Sequence, residues 1–248
     1  MCRHLGYLGP ERPVGDLLVR GENSLLNQSF APRDMRGGGT INADGFGVGW
    51  WGDEGFSRYR SDQPLWSDPA LQETFRSIRS GAVVAAARSA TVGMPVQRTA
   101  CAPFSDEVWA FSHNGVVGGW PDSLAELAAD LSTADLLQLE APTDSAALWL
   151  LLRHLLQEYE PEKALVRLVD SVTAVAPQSR LNLLLGNGQE LWATTWYHSL
   201  SVLVDDERAI VVSEPYDDDP EWQSIPDRHL VSARPGHLII APLEMGAN

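Results

Sequence analysis

Cysteine is scarce: Cys2 and Cys101 are the only two in 248 residues. That excludes a disulfide framework and leaves too few thiolates for a Cys-rich zinc site. The six histidines show no HExxH or comparable metal spacing, so no metal is expected. Positive charge is also in deficit, with 18 Lys and Arg against 33 Asp and Glu and a net charge of -15. The basic residues gather into no stripe, which argues against nucleic acid and anionic membrane as partners. No apolar run approaches the roughly 18 residues that span a bilayer, and the start lacks the basic-then-apolar pattern of a signal peptide. Cytoplasm is the expected compartment. No repeat, low-complexity tract or linker divides the chain, and a hydrophobic content of 44% can fill a core, so one domain over 1–248 is expected.

What is present is a succession of short strands and helices. Residues 3–9 read as a strand stopped by Gly9-Pro10, followed by a short helix at 14–20 and a loop over 23–39. Gly37-Gly38-Gly39 in that loop is no phosphate cradle, because neither GKS nor GKT follows. Asp44-Gly45 reads as a turn into a Gly-rich strand at 46–51, with 56–60 returning as its hairpin partner. Asp68-Pro69 predicts a helix start, with the helix running to about Arg79. Further strands are expected at 82–88 and 108–115, a helix at 123–132, and a long helix after Pro142 with Thr143 or Asp144 at its cap. A helix at 160–175 precedes strands at 181–186, 190–196, 200–204, 209–213 and 237–241, with an acidic loop at 213–226. Two stacked sheets flanked by helices, an α+β arrangement, would accommodate this order.

Several residues carry chemistry. If an aminopeptidase trims Met1, Cys2 joins a thiol and a free α-amine in one residue, and an amine of pKa about 7.7 to 8.0 can serve as base for its own nucleophile. Arg88 ends an apolar strand and needs an anionic partner, either an internal carboxylate or a substrate; Thr91 can add a hydroxyl beside it. His113-Asn114-Gly115 ends another strand. Asn supplies an amide donor and Gly a backbone N–H open to close approach, the parts of an oxyanion hole, although Asn-Gly is also a common turn. Asp144 is a helix cap or a site for a substrate ammonium. Cys101 is the rival nucleophile, with no His beside it in a recognised motif.

Cys2, Arg88 with Thr91, His113-Asn114-Gly115 and Asp144, in that order, resemble the class II glutamine amidotransferases, N-terminal-nucleophile (Ntn) hydrolases, over nearly the whole chain. The resemblance implies a four-layer αββα sandwich of two antiparallel sheets and no cofactor. It implies Cys2 as nucleophile and Asn114 and Gly115 as oxyanion hole. Arg88 then holds the substrate α-carboxylate and Asp144 its α-ammonium, with Thr91 and His113 in the same binding set. Ser89 and Val92 stand where ammonia-channelling members often carry an aromatic and a His, which implies a different pocket wall. The opening MCRHLGYLG, residues 28–33, 42–50 and Ser213-Glu214-Pro215 resemble a stand-alone branch that releases glutamate from a γ-glutamyl amide in ergothioneine biosynthesis. A small γ-glutamyl molecule is thus the expected partner. The other readings are a glutaminase subunit docked on a synthase and a non-catalytic Ntn-fold binding protein. A leaving group with a quaternary ammonium would suit aromatic faces and carboxylates, with Trp50, Trp51, Trp120 and Trp222 as candidates.

Overall fold

The computed structural model describes residues 2–36, 38, 41–244 and 246. Its strands, in chain order, are β1 (Arg3–Pro13), β2 (Phe46–Gly52), β3 (Gly55–Ser61), β4 (Arg79–Ala87), β5 (Phe104–Ser105), β6 (Ala110–Val116) and β7 (Arg180–Gly186). They continue with β8 (Leu191–Thr194), β9 (Ser201–Val204), β10 (Ala209–Val212), β11 (Gln223–Ser224), β12 (His229–Arg234) and β13 (His237–Pro242). Helices are α1 (Val14–Val19), α2 (Leu25–Gln28), α3 (Ala70–Glu73), α4 (Ala125–Ala128), α5 (Thr133–Leu136), α6 (Asp144–Leu155) and α7 (Pro161–Val175). One sheet has seven strands in the order β11-β9-β10-β1-β4-β2-β3, and the other has six in the order β13-β12-β8-β7-β6-β5. The pairings are antiparallel.

Strand alternation builds the layers. On β1 and β4, Leu5, Tyr7, Val83 and Ala85 pack against Leu17, Leu18, Leu71 and Phe75 of the helical layer over the first sheet. Their neighbours Leu8, Ala82 and Val84 turn the other way and meet Leu184, Leu191 and Val231 of the second sheet. Phe111, Leu181, Leu183 and Leu185 in turn face α6 and α7 through Leu148, Leu152, Leu165 and Leu168. The result is the expected four-layer αββα sandwich of the α+β class. Among the described residues no helix is long and apolar enough to cross a membrane.

Several boundaries differ from expectation. Gly9-Pro10 interrupts pairing rather than ending the strand: the β1–β4 register breaks between Leu8 and Arg12 and resumes to Pro13↔Arg79. The 23–39 segment contains α2, capped by Ser24 Oγ, which accepts from the Asn27 N–H; Gly37 and Gly39 lie outside the described residues. The helix expected to reach Arg79 stops at Glu73, where Phe75 N–H bonds back to Ala70 O at 2.9 Å and drives its ring into the core. The helix expected at 123–132 breaks into a 3-10 turn at Asp122–Leu124 and α4, and α5 follows. Strand β12 went unforeseen and joins β8 to β13. Asn114-Gly115 forms no turn; it lies within β6, paired with Asn182 and Leu181.

Candidate active site

Strand β1 is flanked on both sides, by β4 through Arg3↔Ala87 and by β10 through Leu5↔Val212. It is therefore a rigid mount, and Cys2 precedes its first residue, half-buried. The thiol donates to Ser89 O at 3.7 Å. Met1, whose removal would free the Cys2 amine, lies outside the described residues. A small pocket beside Cys2 is lined by Ala86, Arg88, Phe104, His113 and Ser145.

Arg88 emerges just past β4 and is buried. Its backbone is pinned on both sides, with Arg88 N–H donating to Gly45 O at 2.8 Å and Asp44 N–H to Arg88 O at 3.0 Å. Among the described residues the guanidinium reaches only carbonyls, Pro95 O at 3.0 Å and Asp44 O at 3.5 Å. Among the described residues it has no carboxylate within ion-pairing distance. Of the two alternatives for Arg88, the internal ion pair is absent from the described residues, and a buried cation stands open beside the thiol. Thr91 is exposed in the following loop, where its carbonyl accepts from Met94 N–H at 2.9 Å, and it does not line the Cys2 pocket.

On β6 the expected triplet divides its work. His113 points toward α6, with Nδ1 2.9 Å from Ser145 Oγ and Nε2 2.8 Å from Arg180 O. A carbonyl only accepts, so Nε2 carries the proton and, in the neutral ring, Nδ1 accepts from the serine hydroxyl. Gly115 cannot carry a side chain: a Cβ would lie 1.8 Å from Arg180 O. Asn114 faces the gap between the sheets, fully buried, and neither its Nδ2 nor its Oδ1 has a hydrogen-bond partner among the described residues. Thr143 is the cap of α6, accepting from Ala146 N–H at 3.2 Å, which makes Asp144 the first helical residue. The buried Asp144 carboxylate accepts from Val117 N–H at 2.9 Å and Ser145 N–H at 2.7 Å, tying the helix start to the end of β6. It stands behind Ser145 rather than on the pocket wall.

A buried ion pair has no local signal in the sequence. Arg3 Nη2 lies 3.0 Å from Glu214 Oε1, both side chains being almost fully buried. Arg3 also donates to Cys2 O at 3.2 Å and to Asp34 O, so one guanidinium ties the Cys2 backbone to two distant loops. Glu214 in turn accepts from Asn23 Nδ2 at 3.2 Å and Arg33 N–H at 2.9 Å. Ser213-Glu214-Pro215 stood out in the sequence, but nothing local linked it to residue 3. On the far side of this pair opens a cleft of about 710 Å³ bordered by Asp34, Arg36, Asp217, Asp218 and Trp222.

Cys101 is sealed. Burial pushes its thiol pKa up to about 11, and its sulfur sits 3.3 Å from Ser61 O. A neutral, enclosed thiol is a poor nucleophile. Of the four tryptophans considered, Trp50 stacks edge-on with Phe75, Trp51 packs on Phe56, and Trp120 packs against the helical core, whereas Trp222 borders the cleft.

Comparison with known proteins supplies the family. Residues 17–205 match the signature of "Glutamine amidotransferases class-II". A gamma-glutamyl-hercynylcysteine sulfoxide hydrolase from Mycolicibacterium smegmatis is 43% identical over 244 residues, covering 98% of this chain and 100% of that protein. One of the same name from Mycobacterium tuberculosis is 40% identical over 245 residues, covering 98% and 97%. Among solved structures, a glutamine aminotransferase class-II domain protein from Silicibacter pomeroyi superposes with a TM-score of 0.70 at 23% identity, covering 98% of this chain and 99% of that one. The B. subtilis glutamine phosphoribosylpyrophosphate amidotransferase shares the fold at a TM-score of 0.70 and 11% identity, with 98% of this chain matching 50% of that one. With a half-buried cysteine at the head of a central strand and a buried arginine beside it, the chain belongs to the class-II glutamine amidotransferases.

Proposed function

We propose that this protein is an amidohydrolase that cleaves the γ-glutamyl amide of γ-glutamyl-hercynylcysteine sulfoxide, releasing glutamate and hercynylcysteine sulfoxide in ergothioneine biosynthesis. The observation that carries the reading is Arg88, a buried guanidinium in the same pocket as the Cys2 thiol, with only carbonyl partners among the described residues. A substrate α-carboxylate satisfies it bidentately. The family resemblance assigns Asp144 the α-ammonium, but its carboxylate stands behind Ser145, so Arg88 is the group in the pocket that sets the γ-carbonyl over Cys2, making attack effectively unimolecular.

The mature chain starts at Cys2. Its amine accepts the thiol proton and the thiolate attacks the γ-carbonyl, while Asn114 and the Gly115 N–H receive the oxyanion. Collapse breaks the C–N bond as the amine returns the proton to the leaving nitrogen, leaving a γ-glutamyl thioester on Cys2. Water, deprotonated by the same amine, hydrolyses the thioester to glutamate and restores the thiol. His113 and Ser145 brace the pocket wall, and Thr91 lies on the loop above Arg88. The leaving half departs toward the cleft beyond Arg3 and Glu214, where the Trp222 face and the carboxylates of Asp217 and Asp218 suit a trimethylammonium. The cytoplasm, where both thiols stay reduced, is the fitting compartment.

The test is glutamate release by Met-trimmed protein from γ-glutamyl-hercynylcysteine sulfoxide and from glutamine, side by side, with Cys2→Ala as blank. Fast release from the sulfoxide and little from glutamine is expected. Release from glutamine alone would point instead to a glutaminase partnered with a synthase, and release from neither would overturn the substrate assignment.

A further inference from the structure

A second polar layer lies one step behind the nucleophile. Alternation along β1 sends Cys2, His4, Gly6 and Leu8 into the gap between the sheets, and along β6 it sends Asn114, Ser112 and Ala110 into the same gap from the other side. Leu8 and Ala110 already belong to the apolar packing between the sheets. His4 and Ser112 do not. His4 is 1% exposed and Ser112 fully buried, yet neither imidazole nitrogen of His4 nor the Ser112 Oγ has a hydrogen-bond partner among the described residues. His198 closes the flank. Its backbone is clamped to Asn182, the residue opposite Asn114 in the β6–β7 register, and its Nδ1 is likewise without a partner.

Leaving such groups unmade costs roughly 1 to 3 kcal/mol each. A cluster of them, with donors and acceptors on several sides, is the setting in which internal water is retained. Burial, with electrostatic coupling to His113, His198 and Arg3 adding to it, pushes the His4 pKa down to about 3, so the ring is neutral. A neutral imidazole presents one donor and one acceptor, and the serine hydroxyl can do either.

These groups matter because an amide is two-faced. Asn114 serves as an oxyanion donor only if Nδ2 faces the Cys2 side; turned over, it would offer its oxygen and repel the developing charge. The buried Oδ1 therefore needs a donor on the inner side, and the described residues supply none directly. We propose that His4 and Ser112, acting through a retained water, hold Asn114 Oδ1 and so fix the amide in its donor orientation. His4 is then a positioning residue for the oxyanion hole. This rests on the reading of Asn114 as an oxyanion donor given above.

The test is a set of kinetic double-mutant cycles in the Met-trimmed enzyme with a γ-glutamyl amide substrate. Ser112→Ala and His4→Phe are each expected to lower kcat about tenfold, the equivalent of one well-placed hydrogen bond, with KM changed by less than about twofold. His4→Gln, which keeps a donor and an acceptor, should recover most of the loss. Once Asn114 is already Ala, neither substitution should lower kcat further. Fully additive losses would overturn the inference while leaving Asn114 in its role; an undiminished kcat for Asn114→Ala would overturn the oxyanion reading itself. If His4→Phe does not fold, Ser112→Ala carries the cycle alone. A high-resolution crystal structure of the unliganded enzyme gives a reading independent of turnover. Ordered water bridging Ser112 Oγ and Asn114 Oδ1 is expected, and a dry gap there overturns the proposal.

Discussion

The gap between the two sheets has two ends built by one rule and filled by opposite chemistry. At the far end Leu8, Val84, Leu184, Leu191 and Val231 close it with apolar side chains. At the near end the same alternating positions hold Cys2, His4, Arg88, Ser112 and Asn114. Strand geometry fixes which residues face inward but leaves their chemistry open, so one interface can clamp the sheets at one end and host a reaction at the other. Burial of apolar area at about 25 cal/mol per Å² stabilises the far end. The near end forgoes that stabilisation, as functional sites commonly do.

The comparison breaks outright if the two ends prove interchangeable. Cys2→Ala is expected to lower kcat by roughly 10⁴-fold or more with the melting temperature nearly unchanged, whereas Cys101→Ala keeps activity and loses stability. Arg88→Ala should raise KM by about 30- to 100-fold, the worth of a charge-assisted bidentate contact, in steady-state assays of the γ-glutamyl substrate. The far end should answer in the opposite sense: Leu184→Ala costs about 3 kcal/mol in denaturant unfolding and leaves KM alone.

A pH series sharpens the contrast without any substrate. Burial pushes both His4 and His198 down to about 3 from an ordinary 6.5. The unfolded chain therefore binds two more protons than the folded one between these values, and stability falls as pH drops below about 6.5, by about 2 kcal/mol per histidine between pH 7 and pH 5. Unfolding free energies measured across that window should show this slope, and His4→Gln should remove about half of it. Smallest is Trp222→Ala, expected to raise KM for the trimethylammonium-bearing substrate several-fold, about 0.5 to 2 kcal/mol, with the glutamine KM unmoved.

How much of this could be read from the chain depends on how local each signal is. Cys2, Arg88 and the His113-Asn114-Gly115 triplet declare themselves because each ends or heads a strand and brings a polar group where apolar periodicity stops. Strand count and two long helices accommodate two stacked sheets, and the family resemblance implies the sandwich. The end of α3 was not legible, because Phe75 leaves the helix to fill a core made by residues far along the chain. Strand β12 was missed because its His, Ser and Arg weaken the strand pattern. His4 and Ser112 look in sequence like ordinary strand residues. Only the meeting of two sheets shows that they share a layer with Asn114, and only folding brings Arg3 to Glu214.

Strand β1 also sets a timetable. It is the first strand made, but of its two neighbours β4 ends at Ala87 and β10 ends at Val212. At about 5 to 20 residues per second, the start of the chain stays without its second neighbour for roughly 10 to 40 s of synthesis. Methionine removal can act on Cys2 throughout that interval, before Arg3 is drawn onto Glu214. The start of the chain, with its candidate nucleophile Cys2, is thus made first and completed late, and a ribosome-bound chain that has not yet reached residue 214 lacks the Arg3–Glu214 pair that anchors it.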